Sequence, residues 1–134
     1  MTATATHARL ASITPFFIVR ELSSSIAFYT DRLGFEVTFL APSDGPYFAM
    51  LARDGVGLML KTIAPDVQPT PNSSRHQWAR WDAYVHTSDP DALAREFAAR
   101  GVSFRAPLGV NSDNLRGFEI EDVDGYVLFF GSPV

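Results

Sequence analysis

Hydrophobic residues along the chain recur at spacings that predict first a strand and then a helix. The run ITPFFIV (13–19) is short and apolar, as a buried strand is. Apolar residues then recur at helical spacing along one face: Leu22, Ile26, Tyr29 and Leu33. We expect Ser23 or Ser24 to cap this helix and Gly34 to end it in the left-handed conformation.

Three further strand-like runs complete the first half of the chain. They are FEVTFLA (35–41), PYFAMLAR (46–53) and VGLMLKTI (56–63), and the turn residues Ser-Asp-Gly and Asp-Gly separate them. The first half is therefore predicted to be a β-α-β-β-β module over residues 13–63. Residues 64–79 contain three prolines and no periodicity, which predicts a linker or long loop.

The second half repeats this order of elements over residues 80–132. A strand-like run at 81–87 leads to a predicted helix with Asp89 as cap, Pro90 in its first position and Gly101 at its end. The strands predicted to follow it cover 102–107, 115–121 and 126–131. Two copies of one module predict a single α+β domain spanning residues 1–134.

Composition narrows the classes of function. The net charge is −4 and there is no basic block, so the chain lacks the electrostatic features of a nucleic-acid binder. With no cysteine, it can form neither disulfides nor thiolate metal ligands. No apolar run reaches the roughly 20 residues of a membrane span, and the first twelve residues lack the apolar segment of a secretory signal, so we expect a cytoplasmic protein. Eleven phenylalanines exceed what a small core requires and leave some to line a pocket.

Three stretches resemble the vicinal oxygen chelate superfamily, which includes glyoxalases, bleomycin resistance proteins and extradiol dioxygenases. They are PFFIVRELSSSIAFYTDRLGFEV (15–37), PYFAMLARDGVGLML (46–60) and RGFEIEDVDGYVLFF (116–130). The chain departs from the family pattern at Val123, where Pro is usual, and at Glu21, where Asp is usual. The resemblance implies two β-α-β-β-β modules that form cupped mixed sheets.

Metal-using members of the family hold one divalent ion with His and Glu side chains from four strands. Matching by motif places those positions at Thr14, Gly57, Asp82 and Phe129. Only Asp82 is an ordinary ligand, and a catalytic site usually needs about three. His86 lies four residues beyond Asp82, which separates their Cα atoms by roughly 13 Å in a strand. We therefore expect no bound metal and no cofactor.

Alternation along the strands predicts what the cup presents to a ligand. If the four motif positions face the cup, residues two and four positions away on the same strands face it too. The expected ligand-binding residues are Phe16, Met59, Asp82, Tyr84, His86 and Phe129, with Trp78 contributed by the 64–79 loop. Phe16, Met59 and Phe129 could instead simply fill the space that a metal would occupy.

The resemblance leaves three functions open. The first is a binding protein that sequesters a small molecule without chemistry, as bleomycin resistance proteins do; an acidic chain favours a cationic, ring-rich ligand. The second is a metal-dependent lyase, isomerase or ring-cleaving dioxygenase. The third is a metal-independent enzyme using Asp82 or His86 as a base, although no catalytic residue can be assigned. Open sheet edges and a half-formed cup favour a homodimer in each case.

Overall fold

A computed structural model describes residues 6–134 of the chain. The first module contains one helix followed by a π-helical segment and four strands. In chain order these are β1 (Phe16–Ile18), α1 (Leu22–Ala27), the π-helical segment (Phe28–Arg32), β2 (Glu36–Ala41), β3 (Phe48–Arg53) and β4 (Val56–Lys61).

The second module has the same order of elements. After a short 3-10 turn (Asn72–Ser74) in the linker come β5 (Ala83–His86), α2 (Pro90–Ala99), β6 (Phe104–Val110), β7 (Leu115–Glu121) and β8 (Val127–Pro133).

The strands form two four-stranded mixed sheets. Sheet one has the strand order β1-β4-β3-β2 and sheet two the order β5-β8-β7-β6. In each sheet the module's first strand pairs in parallel with its last, and the other pairings are antiparallel. The helix between the first two strands of each module makes this parallel return possible. The predicted α+β fold of two β-α-β-β-β modules is confirmed.

The helix ends follow the predicted chemistry with one exception. The Asp89 side chain accepts a hydrogen bond from the Ala92 N–H, and Gly34 and Gly101 have φ of +74° and +80°. The predicted serine cap of α1 is wrong, because the N-cap residue is Glu21. Ser23 and Ser24 lie inside the first turn, where their hydroxyls donate to Glu21 Oε1 instead of accepting from backbone amides.

Strand β6 differs most from its predicted extent. It begins at Phe104 and runs to Val110, three residues beyond the predicted end at 107. Its pairing with β7 shifts register between Phe104 and Ala106 and again between Ala106 and Gly109. Bulges interrupt the two-residue alternation of a strand. This is why the residue pattern predicted the wrong end for β6.

One hydrophobic core lies between the sheets and both helices. Phe17 and Leu60 of sheet one and Phe118 and Phe130 of sheet two are buried in it together with Phe97 of α2. The side of the strands opposite the predicted ligand-facing residues therefore faces the helices. Within residues 6–134, neither helix is long and apolar enough to cross a membrane.

A buried polar contact joins the β7–β8 turn to the first module. The Tyr29 hydroxyl donates to Asp122 Oδ2 at 2.6 Å, and both side chains are buried. Burial raises the pKa of Asp122 to about 6, although hydrogen bonds from Tyr29 and from backbone amides favour its charged form. Nearby, the Tyr126 ring stacks on Phe17 at 4.2 Å.

The β3–β4 turn of the first module makes a corresponding contact with the second module. Arg53, at the end of β3, forms a two-pronged ion pair with Glu96 of α2 at 2.7 and 2.8 Å. This pair is partly open to solvent, whereas the Tyr29–Asp122 pair is closed off from it.

Candidate ligand-binding site

The predicted ligand-facing residues of sheet one lie on the side away from the core. Phe16 and Met59 are register partners in the parallel ladder of β1 and β4. The Phe16 side is open, with 51% of the residue exposed, and its ring contacts Phe48 at a centroid distance of 6.3 Å. This face presents apolar surface that no described residue covers.

Sheet two carries a closer aromatic cluster at the equivalent positions. Tyr84 and Phe129 are register partners in β5 and β8, and their rings stack at 5.6 Å. The Trp81 ring stacks on Phe129 at 4.5 Å and lies 6.1 Å from Tyr84. We call Trp81, Tyr84 and Phe129 the aromatic wall. Phe129 is only 2% exposed and Tyr84 is 43% exposed, so Phe129 supports the wall and Tyr84 is its open surface.

Two glycines allow the Phe129 ring to lie flat on the sheet. A Cβ at Gly117 would lie 2.7 Å from Phe129 Cζ, and a Cβ at Gly131 would lie 2.7 Å from Phe129 Cε1. Both distances are too short for carbon atoms, so any larger residue would lift or turn the ring. Gly117 and Gly131 are register partners. Together they form the flat surface beneath the wall, which we call the glycine floor.

Polar groups fix the orientation of Trp81. Its Nε1–H donates to Glu119 Oε2 at 2.9 Å, and Glu119 Oε1 accepts from Arg105 at 3.4 Å. The Arg80 guanidinium lies over the Trp81 ring at 4.9 Å and is held by Asp113 at 2.6 Å. Sequence reasoning missed this set. The available signal was alternation along β7, which places Glu119 on the same face as Gly117.

Asp82 is held in place by hydrogen bonds from backbone amides. Its Oδ1 accepts the Asn72 N–H at 2.8 Å, and its Oδ2 accepts the Val127 N–H at 2.8 Å. The carboxylate thus ties the linker to the start of β8, and both its oxygens are engaged. The carboxylate therefore has a structural role, and its expected contact with a ligand stays a prediction.

The four motif positions do not fit a catalytic metal ion. Gly57 supplies no donor, and its Cβ position lies 3.4 Å from Thr14 Oγ1, so the Thr14 hydroxyl occupies the neighbouring space. Phe129 supplies a hydrocarbon ring, and Asp82 is bound to backbone amides. In the part of the chain from residue 6 onward, no group of three or more His, Asp or Glu side chains could hold a metal.

A cleft of about 500 Å³ runs between the two modules beside the wall. It is lined by residues 13–15 just before β1 and by the start of β4 on one side, and by Asp82 and β5 on the other. Tyr84 belongs to both the wall and the cleft. His86 lines the cleft and is exposed. Thr14 and Gly57 lie opposite it. The volume matches that of a small-molecule site.

Trp78 does not join these residues. It is 79% exposed, its ring contacts His76 at 5.5 Å, and its backbone N–H donates to His76 Nδ1. The predicted set therefore falls into separate groups: Phe16 with Met59 on sheet one, Tyr84 with Phe129 on sheet two, His86 in the cleft and Trp78 in the linker. Within residues 6–134, no aromatic contact joins the rings of the two sheet faces.

The model of the Glyoxalase/Bleomycin resistance protein/Dioxygenase superfamily matches residues 9–130. The chain belongs to this superfamily. A comparison with curated protein sequences finds no significant match.

Solved structures of superfamily type share the fold. TioX from Micromonospora sp. ML1 is 17% identical, covers 92% of this chain and 99% of its own, and has a TM-score of 0.71. TnmS3, an antibiotic-binding protein from Streptomyces sp. CB03234, is 21% identical and covers 96% and 100%, with a TM-score of 0.68. The bleomycin-binding protein from Streptomyces verticillus, solved with copper(II)-bleomycin, is 23% identical and covers 96% and 100%, with a TM-score of 0.68. At these identities the likeness establishes the superfamily fold.

Proposed function

We propose that this superfamily member binds a planar, antibiotic-like aromatic small molecule without a metal and without transforming it. The observation that carries the proposal is the aromatic wall, whose open ring, Tyr84, also lines the 500 Å³ cleft. A ligand ring stacked on Tyr84 could extend into the cleft, where apolar side chains and His86 would surround it.

The geometry of the wall supports binding more than catalysis. Trp81 is held by Glu119 and Phe129 by the glycine floor, so these rings have little freedom left to lose when a ligand arrives. By contrast, no acid and base face each other across the cleft at hydrogen-bonding distance within residues 6–134. His86 has no carboxylate partner there, and both oxygens of Asp82 accept hydrogen bonds from backbone amides.

The fold neighbours support the same choice. TnmS3 is described as an antibiotic-binding protein, and the Streptomyces verticillus protein was solved with copper(II)-bleomycin. Sequestration of an aromatic compound needs only a shaped aromatic surface, which this chain has. A glyoxalase-, isomerase- or dioxygenase-type activity needs donor side chains, and three of the motif positions (Thr14, Gly57 and Phe129) do not supply ordinary ones.

A homodimer completes the proposal. Sheet one leaves Phe16, Phe39 and Tyr47 each 51% exposed. Exposed apolar surface of this kind marks an interaction site, and a second copy of the chain would cover it in a two-fold arrangement. The partner's sheet would then lie close to the ligand.

The wall is tested by replacing Tyr84. With 2-naphthalenemethanol as a neutral planar probe, Tyr84→Ala is expected to weaken binding about tenfold, roughly 1.4 kcal/mol, because the open stacking surface is lost. Calorimetric titration measures the affinity and thermal unfolding checks the fold. Val123→Ala truncates an exposed apolar side chain in the β7–β8 turn, away from both the wall and the proposed dimer face, and serves as the control. Equal losses in both variants, or none in Tyr84→Ala, would remove the wall from the site.

Native mass spectrometry tests two further parts of the proposal together, namely binding without a metal and the homodimer. After dialysis without chelator, the expected spectrum shows a dimer with well under one metal ion per chain, because the motif positions lack ligands. A stoichiometric first-row metal bound through side chains would favour the enzyme alternative. A monomer at micromolar concentration would contradict the proposed dimer.

A further inference from the structure

The carboxylates next to the aromatic wall already accept hydrogen bonds from donors of the protein through both oxygens. Glu119 accepts from Trp81 through one oxygen and from Arg105 through the other. Asp82 is bound through both oxygens to backbone amides. A ligand ammonium group at the wall would have to share these oxygens with the donors that already hold them.

The arginines next to the wall, by contrast, have N–H groups that no acceptor in the described part of the chain occupies. Arg105 uses only Nη1, which donates to the Arg80 carbonyl at 3.1 Å and to Glu119 at 3.4 Å. Arg80 uses only Nη2, which donates to Asp113. The remaining guanidinium N–H groups of both residues make no hydrogen bond to the protein within residues 6–134. The wall therefore has uncommitted N–H donors beside it, whereas its carboxylates are already paired with the protein.

The two arginines also lie where a ligand on the wall would reach them. The guanidinium of Arg80 is over the Trp81 ring, and the side chain of Arg105 is bound to the carboxylate that holds the same indole. Their side chains are 40% and 35% exposed, so both are accessible while their positions are restrained. A guanidinium offers two parallel N–H groups that match a carboxylate.

We propose that the site selects planar aromatic ligands that carry an anionic group, with the ring on Tyr84 and the anion at Arg105 and Arg80. This inference rests on the proposed binding function and sharpens it. It also reverses the ligand charge expected from the net charge of −4, because the acidic residues that set the net charge are not the free groups at this surface.

Three naphthalene probes of nearly equal size test the charge preference. They are 2-naphthoate, 2-naphthalenemethanol and 2-naphthylmethylammonium, titrated calorimetrically into the full chain at pH 7 and low salt. The expected order of affinity is anion, neutral, cation, with the anion about tenfold tighter than the neutral probe because a charge-assisted hydrogen bond is gained. The preference should shrink as salt is added, since both arginines are partly exposed.

Charge-removing variants assign the preference to residues. Arg105→Gln is expected to bring 2-naphthoate down to the affinity that the neutral probe has for the same variant, and Arg80→Gln to do so in part. Arg95→Gln on the exposed side of α2 removes the same charge away from the wall and should change nothing. Thermal unfolding confirms that each variant is folded.

The outcomes separate this inference from the function on which it rests. If all three probes bind with equal affinity and Tyr84→Ala weakens all of them, the binding function stands and the anion preference is wrong. If Arg95→Gln lowers 2-naphthoate binding as much as Arg105→Gln, the effect is general electrostatics and the assignment to Arg105 is wrong. If none of the probes binds, the proposed aromatic-binding function itself is contradicted.

Discussion

The two modules share one topology and differ in what they place on the face away from the core. At equivalent register positions, sheet one has Phe16 beside Met59 and sheet two has Tyr84 beside Phe129. The pair in sheet one remains loosely packed and open, whereas the pair in sheet two is stacked, joined by Trp81 and tied to Glu119. Two modules of the same topology thus present different outer faces. The outer face of sheet one is suited to packing against another chain, and that of sheet two to stacking against the ring of a ligand.

The two hairpin turns show a second difference of the same kind. The turn of module two reaches the first module through the buried Tyr29–Asp122 hydrogen bond, and the turn of module one reaches the second through the half-open Arg53–Glu96 pair. A buried polar contact is costly to break and responds to pH, while an exposed ion pair contributes little and responds to salt. The modules are therefore joined asymmetrically.

The largest expected effect compares the outer faces directly. Phe129→Ala should lower the free energy of unfolding by about 3 kcal/mol, because the ring is buried between the glycine floor and Trp81. Phe16→Ala removes the same atoms from an exposed position and should cost less than about 1 kcal/mol. Urea unfolding measures both. Similar losses in the two variants would mean that the faces are equally packed.

A smaller effect is expected from the glycines. Gly131→Ala should destabilise the chain by about 2 kcal/mol, since its Cβ would meet the Phe129 ring and the Arg116 carbonyl oxygen. Gly57→Ala on sheet one meets Thr14 Oγ1 at 3.4 Å, an ordinary contact, and should change stability by less than about 0.5 kcal/mol. A fully tolerated Gly131→Ala would show that the Phe129 ring and the adjacent β7 backbone can both move away from this position.

The smallest expected effect concerns pH and the buried turn contact. The folded-state pKa of Asp122 is raised by burial to about 6, above its ordinary value of 3.8, so folding favours the protonated carboxyl. This contribution to stability is present at low pH and is lost as the pH rises through about 6. Relative to Asp122→Asn, the wild type should gain about 1 kcal/mol between pH 7 and pH 5.

The pH window keeps the other turn contact out of the measurement. The hydrogen bond from Arg53 lowers the pKa of Glu96 below its ordinary value, so that carboxylate stays charged from pH 7 to pH 5. Its contribution is lost only at lower pH. Parallel stability curves for the wild type and Asp122→Asn across this window would show that Asp122 does not titrate there.

Periodicity and motif matching together predicted the fold and the faces of most strands. The strands are short and pack on a single core, so a two-residue alternation is enough to assign Phe17 to the core and Phe16 to the opposite face. The glycine ends of both helices and the Asp89 cap were predictable because those signals are local in the chain. The predicted serine cap was wrong because the N-cap residue is Glu21, two residues before Ser23.

The sequence by itself determined the repeated β-α-β-β-β order, the superfamily resemblance and the lack of ordinary metal ligands at three motif positions, since each depends on residue type and spacing along the chain. Only the tertiary structure decided that Asp82 is bound to backbone amides, that Phe129 lies beneath Trp81 and Tyr84, and that Glu119 and Arg105 lie beside the wall. Those facts join residues 10 to 48 positions apart, and the strand register that brings them together is set by the packing of the whole core, which local patterns do not encode.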